Sequence, residues 1–96
     1  MERPDKLPPV DRIDPLDTKT SLTTRVYRVI RRAIERGEFA PGQTLTPERQ
    51  LAKDLGVARI TAQRALRLLE QEGFVSSSPA VGWVVMPAER WKPPAE

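Results

Sequence analysis

Residues 45–75 read LTPERQLAKDLGVARITAQRALRLLEQEGFV, two helical patterns joined by Leu55-Gly56-Val57. That join constrains the fold more than any other feature. A glycine takes the left-handed backbone that ends a helix within one residue, so the next helix can cross at a steep angle and share a small core with the first. Thr46-Pro47-Glu48 reads as the start of the first helix, with a hydroxyl at the N-cap, proline at the first helical position and an acid in the first turn. Leu51, Ala52 and Leu55 supply its expected buried face.

The second helix is predicted over about residues 59–72 and ends at Glu72-Gly73. Ala58 stands where a capping hydroxyl would contribute about 1 kcal/mol. At about 100° per residue from Arg59, the apolar Ala62, Ala65, Leu66, Leu68 and Leu69 lie between roughly 180° and 340°. Arg59, Ile60, Gln63, Arg64 and Arg67 lie between roughly 0° and 140°. A helix that buries one face and presents guanidinium, amide and aliphatic groups on the other is suited to the base edges of a DNA major groove.

Upstream, Leu22, Val26, Val29, Ile30, Ala33 and Ile34 recur at the spacing of one buried helix face, with Gly37 as the left-handed stop. The opposite face holds Arg25, Arg28, Arg31, Arg32 and Arg36, read as solvated. Ala40-Pro41-Gly42 is a turn signal, and Leu45 a short strand or bridge. Downstream, residues 74–77 and 83–86 are strand-like, and Ser78-Pro79-Ala80-Val81-Gly82 is the expected hairpin loop. The domain is therefore expected over residues 21–86. Residues 1–20, with four prolines and net charge −1, read as an extended or disordered arm in which Arg12 and Lys19 are the candidates for phosphate contact. Residues 87–96 read as a tail whose Trp91 either folds back or meets a partner.

Composition narrows the function. With 96 residues and Pro-rich ends, about 65 residues remain for a core, enough for one small domain. Residues 21–75 hold ten Lys/Arg against six Asp/Glu, so the positive excess sits on the helical segment. The chain has no cysteine and no histidine, which excludes thiolate and imidazole metal sites, disulfides and imidazole-based triads. Glu35, Glu38, Glu48, Asp54, Glu70 and Glu72 lie among basic neighbours and read as solvated helix charges, so neither an enzyme nor a cofactor is expected. No apolar run spans a bilayer and the N-terminus lacks a signal-peptide core, so a cytoplasmic location is expected.

Helix, turn, short helix, glycine turn, longer helix and hairpin, in that order over Leu22 to Val85, resemble the N-terminal winged helix-turn-helix domain of the GntR family of bacterial transcription regulators. The matching stretches are Ile34 to Gly42, Leu45 to Ala52, Leu55 to Arg59, and Ala65-Leu66 with Leu69 to Val75. The resemblance implies an α+β fold, mainly α, with three helices and a small β-hairpin wing. It implies a sequence-specific double-stranded DNA-binding repressor with the helix over 59–72 in the major groove. Arg49 and Arg59 match DNA-binding arginines, and Thr61 matches a phosphate-binding hydroxyl. For Arg49 a salt bridge with Glu48 or Glu72 stays open.

Three departures concern specificity. Gln63 stands where the family often has arginine, an amide suited to adenine N6 and N7. Ile60 replaces a usual threonine, and either meets a thymine methyl or packs against the short helix. The wing lacks the family's basic Gly-x-Gly tip, so Ser78 and Gly82 are left to contact phosphate through a hydroxyl and backbone N–H, which implies weaker affinity and a shallower salt slope. Arg64, on the basic face, completes the expected contact set. The family's C-terminal domain binds an effector and holds a dimer; no small-molecule effector site is expected in this chain. A homodimer on a palindromic operator would draw its contacts from the duplex, the wing, Trp83, Trp91 or residues beyond it. The competing class is a winged-helix protein-interaction module with weak or no DNA binding, suggested by the uncharged wing and by Trp83 and Trp91, both expected to be exposed.

Overall fold

The computed structural model describes residues 21–92. The expected arm over 1–20 and Pro93-Pro94 of the tail lie outside the described residues. The first amphipathic segment is α1, Leu22–Glu35, which buries Val26, Ile30, Ala33 and Ile34. Ser21 caps it, its Oγ accepting the Thr24 N–H at 3.1 Å. Beyond the Arg36 C-cap, Gly37 takes φ +82° and the Glu38 N–H reaches back to the Ala33 carbonyl at 3.0 Å. That bond satisfies a carbonyl the helix would otherwise leave open.

The short helix α2, Glu48–Leu55, begins one residue later than the Thr46-Pro47 pattern predicts. Pro47 has ψ +146°, so it is the N-cap residue rather than the first helical one, and its carbonyl accepts the Leu51 N–H at 2.8 Å. Its ring sets φ to a value that suits either position, and ψ alone decides between them. Gly56, at φ +73° and ψ +33°, then makes the expected turn. Helix α3, Arg59–Gln71, follows from an Ala58 N-cap that has no side-chain cap bond, with Glu72 as its C-cap.

Ala62, Ala65, Leu66 and Leu69 of α3 are fully buried against α1 and α2, together with Leu51 and Leu55. Leu68, expected in the buried arc, is 39% exposed. It falls at roughly 180°, the outer limit of that arc, where α1 and α2 no longer cover the helix.

Strands β1, Val75–Ser78, and β2, Gly82–Val85, form the hairpin in antiparallel register, Val75 opposite Val85 and Ser78 opposite Gly82. Both strands are displaced by one residue from the predicted segments, so the loop shrinks to Pro79-Ala80-Val81. At the base of the hairpin Phe74 is shared between two elements: its N–H closes α3 by donating to the Leu69 carbonyl at 2.9 Å while its carbonyl accepts the Met86 N–H at 2.9 Å, and at the tip pairing of Ser78 with Gly82 shortens the loop. The Ala40–Leu45 connection lies along β2. Thr44 bridges Val84, and the Leu45 N–H donates to the Trp83 carbonyl at 2.8 Å.

After β2 the chain doubles back rather than departing. Residues Ala88–Arg90 form a 3-10 turn, and Trp91 stacks on Phe74 with ring centroids 4.9 Å apart. The Trp91 indole N–H donates to the Met86 carbonyl at 2.9 Å, and the Lys92 N–H to the Glu72 carbonyl at 2.7 Å. Residues 88–92 thereby close over the C-terminal end of α3.

Candidate nucleic-acid interface

The outward face of α3 follows from its inward one. Because alanines and leucines claim the buried arc, Arg59, Ile60, Arg64 and Arg67 project to solvent, Ile60 at 50% exposure. No element among the described residues covers that ridge. Gln63 is half-buried where α3 approaches the wing. Thr61 is also half-buried, at roughly 200° on the flank beside Leu68 and away from the centre of the ridge. Arg49, in the first turn of α2, is exposed and has no side-chain partner among the described residues, so it forms neither of the salt bridges left open for it.

Between α3 and the hairpin lies an open cleft of about 310 Å³, lined by Glu48, Gln63, Arg67, Ser78, Gly82 and Trp83 among others. It brings together three of the expected contacts, Gln63, Ser78 and Gly82. Among the described residues, the cation lining this cleft is Arg67, a residue outside the expected contact set, at roughly 80° and so near the middle of the exposed arc. Its spacing from Gln63, four residues, was the available signal. The hairpin is tied to α3 by Glu70, whose Oε2 accepts the Ser77 N–H at 3.4 Å and the Ser77 hydroxyl at 3.2 Å.

At the other side of the cleft, Glu48 is a two-sided anchor. Its Oε2 accepts the Trp83 indole N–H at 2.9 Å and its Oε1 pairs with the Arg59 Nε at 3.3 Å. Sequence reasoning placed Glu48 among solvated helix charges, but its side chain is only 16% exposed. Trp83, expected to be exposed, is 8% exposed, because the start of α2 closes over it. With Trp83 buried and Trp91 stacked on Phe74, the aromatic motive for a protein-docking module disappears.

A second polar cluster sits at the far end of α3. Tyr27 donates its hydroxyl hydrogen to Glu72 Oε1, and Arg31 Nη1 donates to the Tyr27 oxygen at 2.6 Å and lies 3.3 Å from Glu72 Oε1. Arg31 also pairs with Glu35 at 3.1 Å and lies 4.8 Å over the Phe74 ring. Arg31 is therefore no member of a solvated face, and Glu72 no solvated acid. Burial and the bond to Glu72 push the Tyr27 phenol up from its ordinary value. For Arg31, burial works against the charge, but bonds to Tyr27 and Glu35 outweigh it and push the guanidinium further up. This cluster joins α1 to the end of α3, about 20 Å along the helix from Arg59.

The arrangement is a small three-helix core with an uncovered cationic helix flanked by a hairpin. Residues 22–85 match the model of the family described as bacterial regulatory proteins, gntR family. The chain belongs to the GntR family. Among relatives, it is 41% identical over 71 residues to the uncharacterized HTH-type transcriptional regulator Rv0494 of Mycobacterium tuberculosis, covering 74% of this chain and 29% of that protein. It is 32% identical over 78 residues to the regulator YhdI of Bacillus subtilis, covering 81% of this chain and 17% of YhdI. The chain thus spans less than a third of the length of either.

Among solved structures, YtrA from Sulfolobus acidocaldarius, a GntR-family transcription factor, superposes with a TM-score of 0.68 at 33% identity, covering 81% of each chain. The DNA-binding domain of AraR, in complex with operator ORX1, superposes with a TM-score of 0.73 at 26% identity, covering 82% of this chain and 96% of that one. The chain accordingly carries the winged helix-turn-helix domain of the GntR family, whose relatives named here are transcriptional regulators. No helix among the described residues is long and apolar enough to cross a membrane.

Proposed function

We propose that this GntR-family domain reads double-stranded DNA through α3 and acts as a repressor. The observation that carries the reading is the uncovered ridge of Arg59, Ile60, Arg64 and Arg67, backed by the buried Ala62, Ala65, Leu66 and Leu69 that seat the helix on the core. The likeness to the operator-bound domain of AraR supports it. In this reading the first turns of α3 enter the major groove. Arg59 takes a guanine edge, Gln63 an adenine edge and Ile60 a thymine methyl. Arg49, Arg64 and Thr61 hold phosphates on either side, while Ser78 and Gly82 offer a hydroxyl and a backbone N–H to the adjacent strand.

A domain that fills a groove can exclude polymerase from a promoter, which gives repression. Two copies on a palindromic operator would set their α3 helices about 34 Å apart, one helical turn, and the site of action would be the cytoplasm. Selection from a random duplex pool, followed by fluorescence anisotropy at several salt concentrations, tests the reading. Enrichment of a defined half-site is expected, with Arg59→Ala and Gln63→Ala each weakening binding and relaxing one base position while the fold is retained. Equal affinity for all duplexes, or no change in either variant, would overturn it. A promoter-reporter assay decides the sign of regulation.

A further inference from the structure

Each carboxylate oxygen of Glu48 has its own partner, and the two partners belong to different parts of the DNA-facing surface. Oε2 takes the indole N–H of Trp83 in β2, and Oε1 takes Nε of Arg59 at the start of α3. The two bonds differ in environment. Trp83 is buried, so its bond is shielded and fixes the carboxylate, whereas the Arg59 side chain is 60% exposed and would otherwise sample many rotamers. The contact at Nε also has a geometric consequence. A guanidinium held at Nε has its side edge occupied, and its two terminal amino groups are left to point away from the carboxylate, in the fork that matches guanine O6 and N7.

We propose that Glu48 is the positioning residue for Arg59: anchored by the Trp83 indole, it presets the arginine fork for one guanine and couples that preference to the placement of the wing. The proposal rests on the reading of α3 as the DNA-reading helix. Glu48 itself touches no base. Its negative charge works against attraction to the duplex, so its removal has opposite effects on the two properties: discrimination at the Arg59 position falls, while affinity for unrelated DNA does not.

The test uses the full chain and the duplex it selects from a random pool, with each base pair of the half-site substituted in turn and affinities read by anisotropy. Wild type is expected to favour guanine at the position that Arg59→Ala relaxes, by ~10-fold or more. Glu48→Gln keeps an oxygen for the indole but loses the charge that holds Nε. It is expected to bring that preference down to a few-fold, leave the other positions and the salt slope unaltered, and leave binding to unrelated duplex equal or tighter. In an Arg59→Ala background Glu48→Gln is expected to change nothing further at that position. Trp83→Phe, which keeps the ring and loses the donor, is expected to relax the same position alone.

Preserved guanine preference in Glu48→Gln overturns the proposal, as does an equal loss at all positions, the mark of a merely structural residue. Loss of the fold in Glu48→Gln, read by near-ultraviolet circular dichroism, also counts against a positioning role, and Trp83→Phe then remains as the independent check. If wild type discriminates but these variants follow it, only the role of Glu48 falls. If wild type shows no sequence preference, the DNA-reading assignment falls and takes this one with it.

Discussion

Two glycines with nearly the same positive φ provide an internal control for how residues 88–92 hold onto the domain. Gly37 and Gly73 follow the C-caps of α1 and α3 at φ +82° and +81°. A methyl group built on Gly37 meets nothing within 4 Å, whereas on Gly73 it would lie 1.9 Å from the Arg90 carbonyl oxygen and 2.8 Å from its carbon. Alanine at either site therefore carries the left-handed strain of about 1–2 kcal/mol. At Gly73 it must also push a backbone carbonyl away by more than about 1 Å, and no side-chain rotation can relieve that.

The easiest relief is release of the segment. That forfeits the Lys92 N–H bond to Glu72, the Trp91 indole bond to Met86 and the Trp91 stack on Phe74. At about 1 kcal/mol for each hydrogen bond and about 0.5–1.5 for the ring pair, release adds roughly 2–4 kcal/mol to the cost, before the apolar burial of Trp91 is counted. Urea denaturation followed by far-ultraviolet circular dichroism should then rank Gly37→Ala at about 1–2 kcal/mol and Gly73→Ala at about 3–6. In a chain ending at Pro87, where the carbonyl is absent, the two substitutions should cost the same. Equal costs in the full chain, or a Gly73→Ala cost that survives the truncation, would refute the argument.

Leu66→Ala removes a fully buried side chain at the junction of the three helices and should lower the unfolding free energy by about 2–5 kcal/mol in the same assay. Tyr27 is the only tyrosine, so tyrosinate absorbance follows it alone, and its midpoint should lie above that of the urea-unfolded chain. Because the folded state holds the phenol proton more tightly, that stabilisation is complete below about pH 10 and is lost as pH rises through the folded midpoint; Tyr27→Phe should remove this slope. Arg64→Ala should leave stability within about 0.5 kcal/mol, since the side chain is exposed, while weakening DNA binding. Pro79→Lys at the wing tip should steepen the dependence of binding on log salt by about 1, the signature of one added phosphate contact.

What could be read from the sequence was what repeats along it. The apolar spacing of α1 and the alanine–leucine arc of α3 describe single faces, and a face with a period announces itself without reference to anything else in the chain. The three glycine stops were equally legible, since Gly37, Gly56 and Gly73 each meet a demand of the local backbone. Errors began where a position answers to two demands at once. Pro47 satisfies φ for both the cap and the first helical turn, so only the docking of α2 could decide its role. Leu68 has the right residue type but lies at the outer limit of the buried arc.

The supports of the exposed α3 face were illegible for a further reason. Trp83 looked exposed because a short hairpin beside a glycine says nothing about the helix that covers it, and Glu48 looked solvated because its partners are 11 and 35 residues away. Arg31 and Glu72, 41 residues apart, were misread for the same cause. The ridge itself was easier, since exposed groups make few internal contacts and sit where a helix's apolar period leaves gaps. Groups on the exposed face are thus found by exclusion from the core, and the groups that hold them are found only by distance. A functional face read from sequence alone will therefore hold the fingers and miss the knuckles: Arg59 was visible in the pattern, and the carboxylate at its Nε was visible only after α2, α3 and β2 had met.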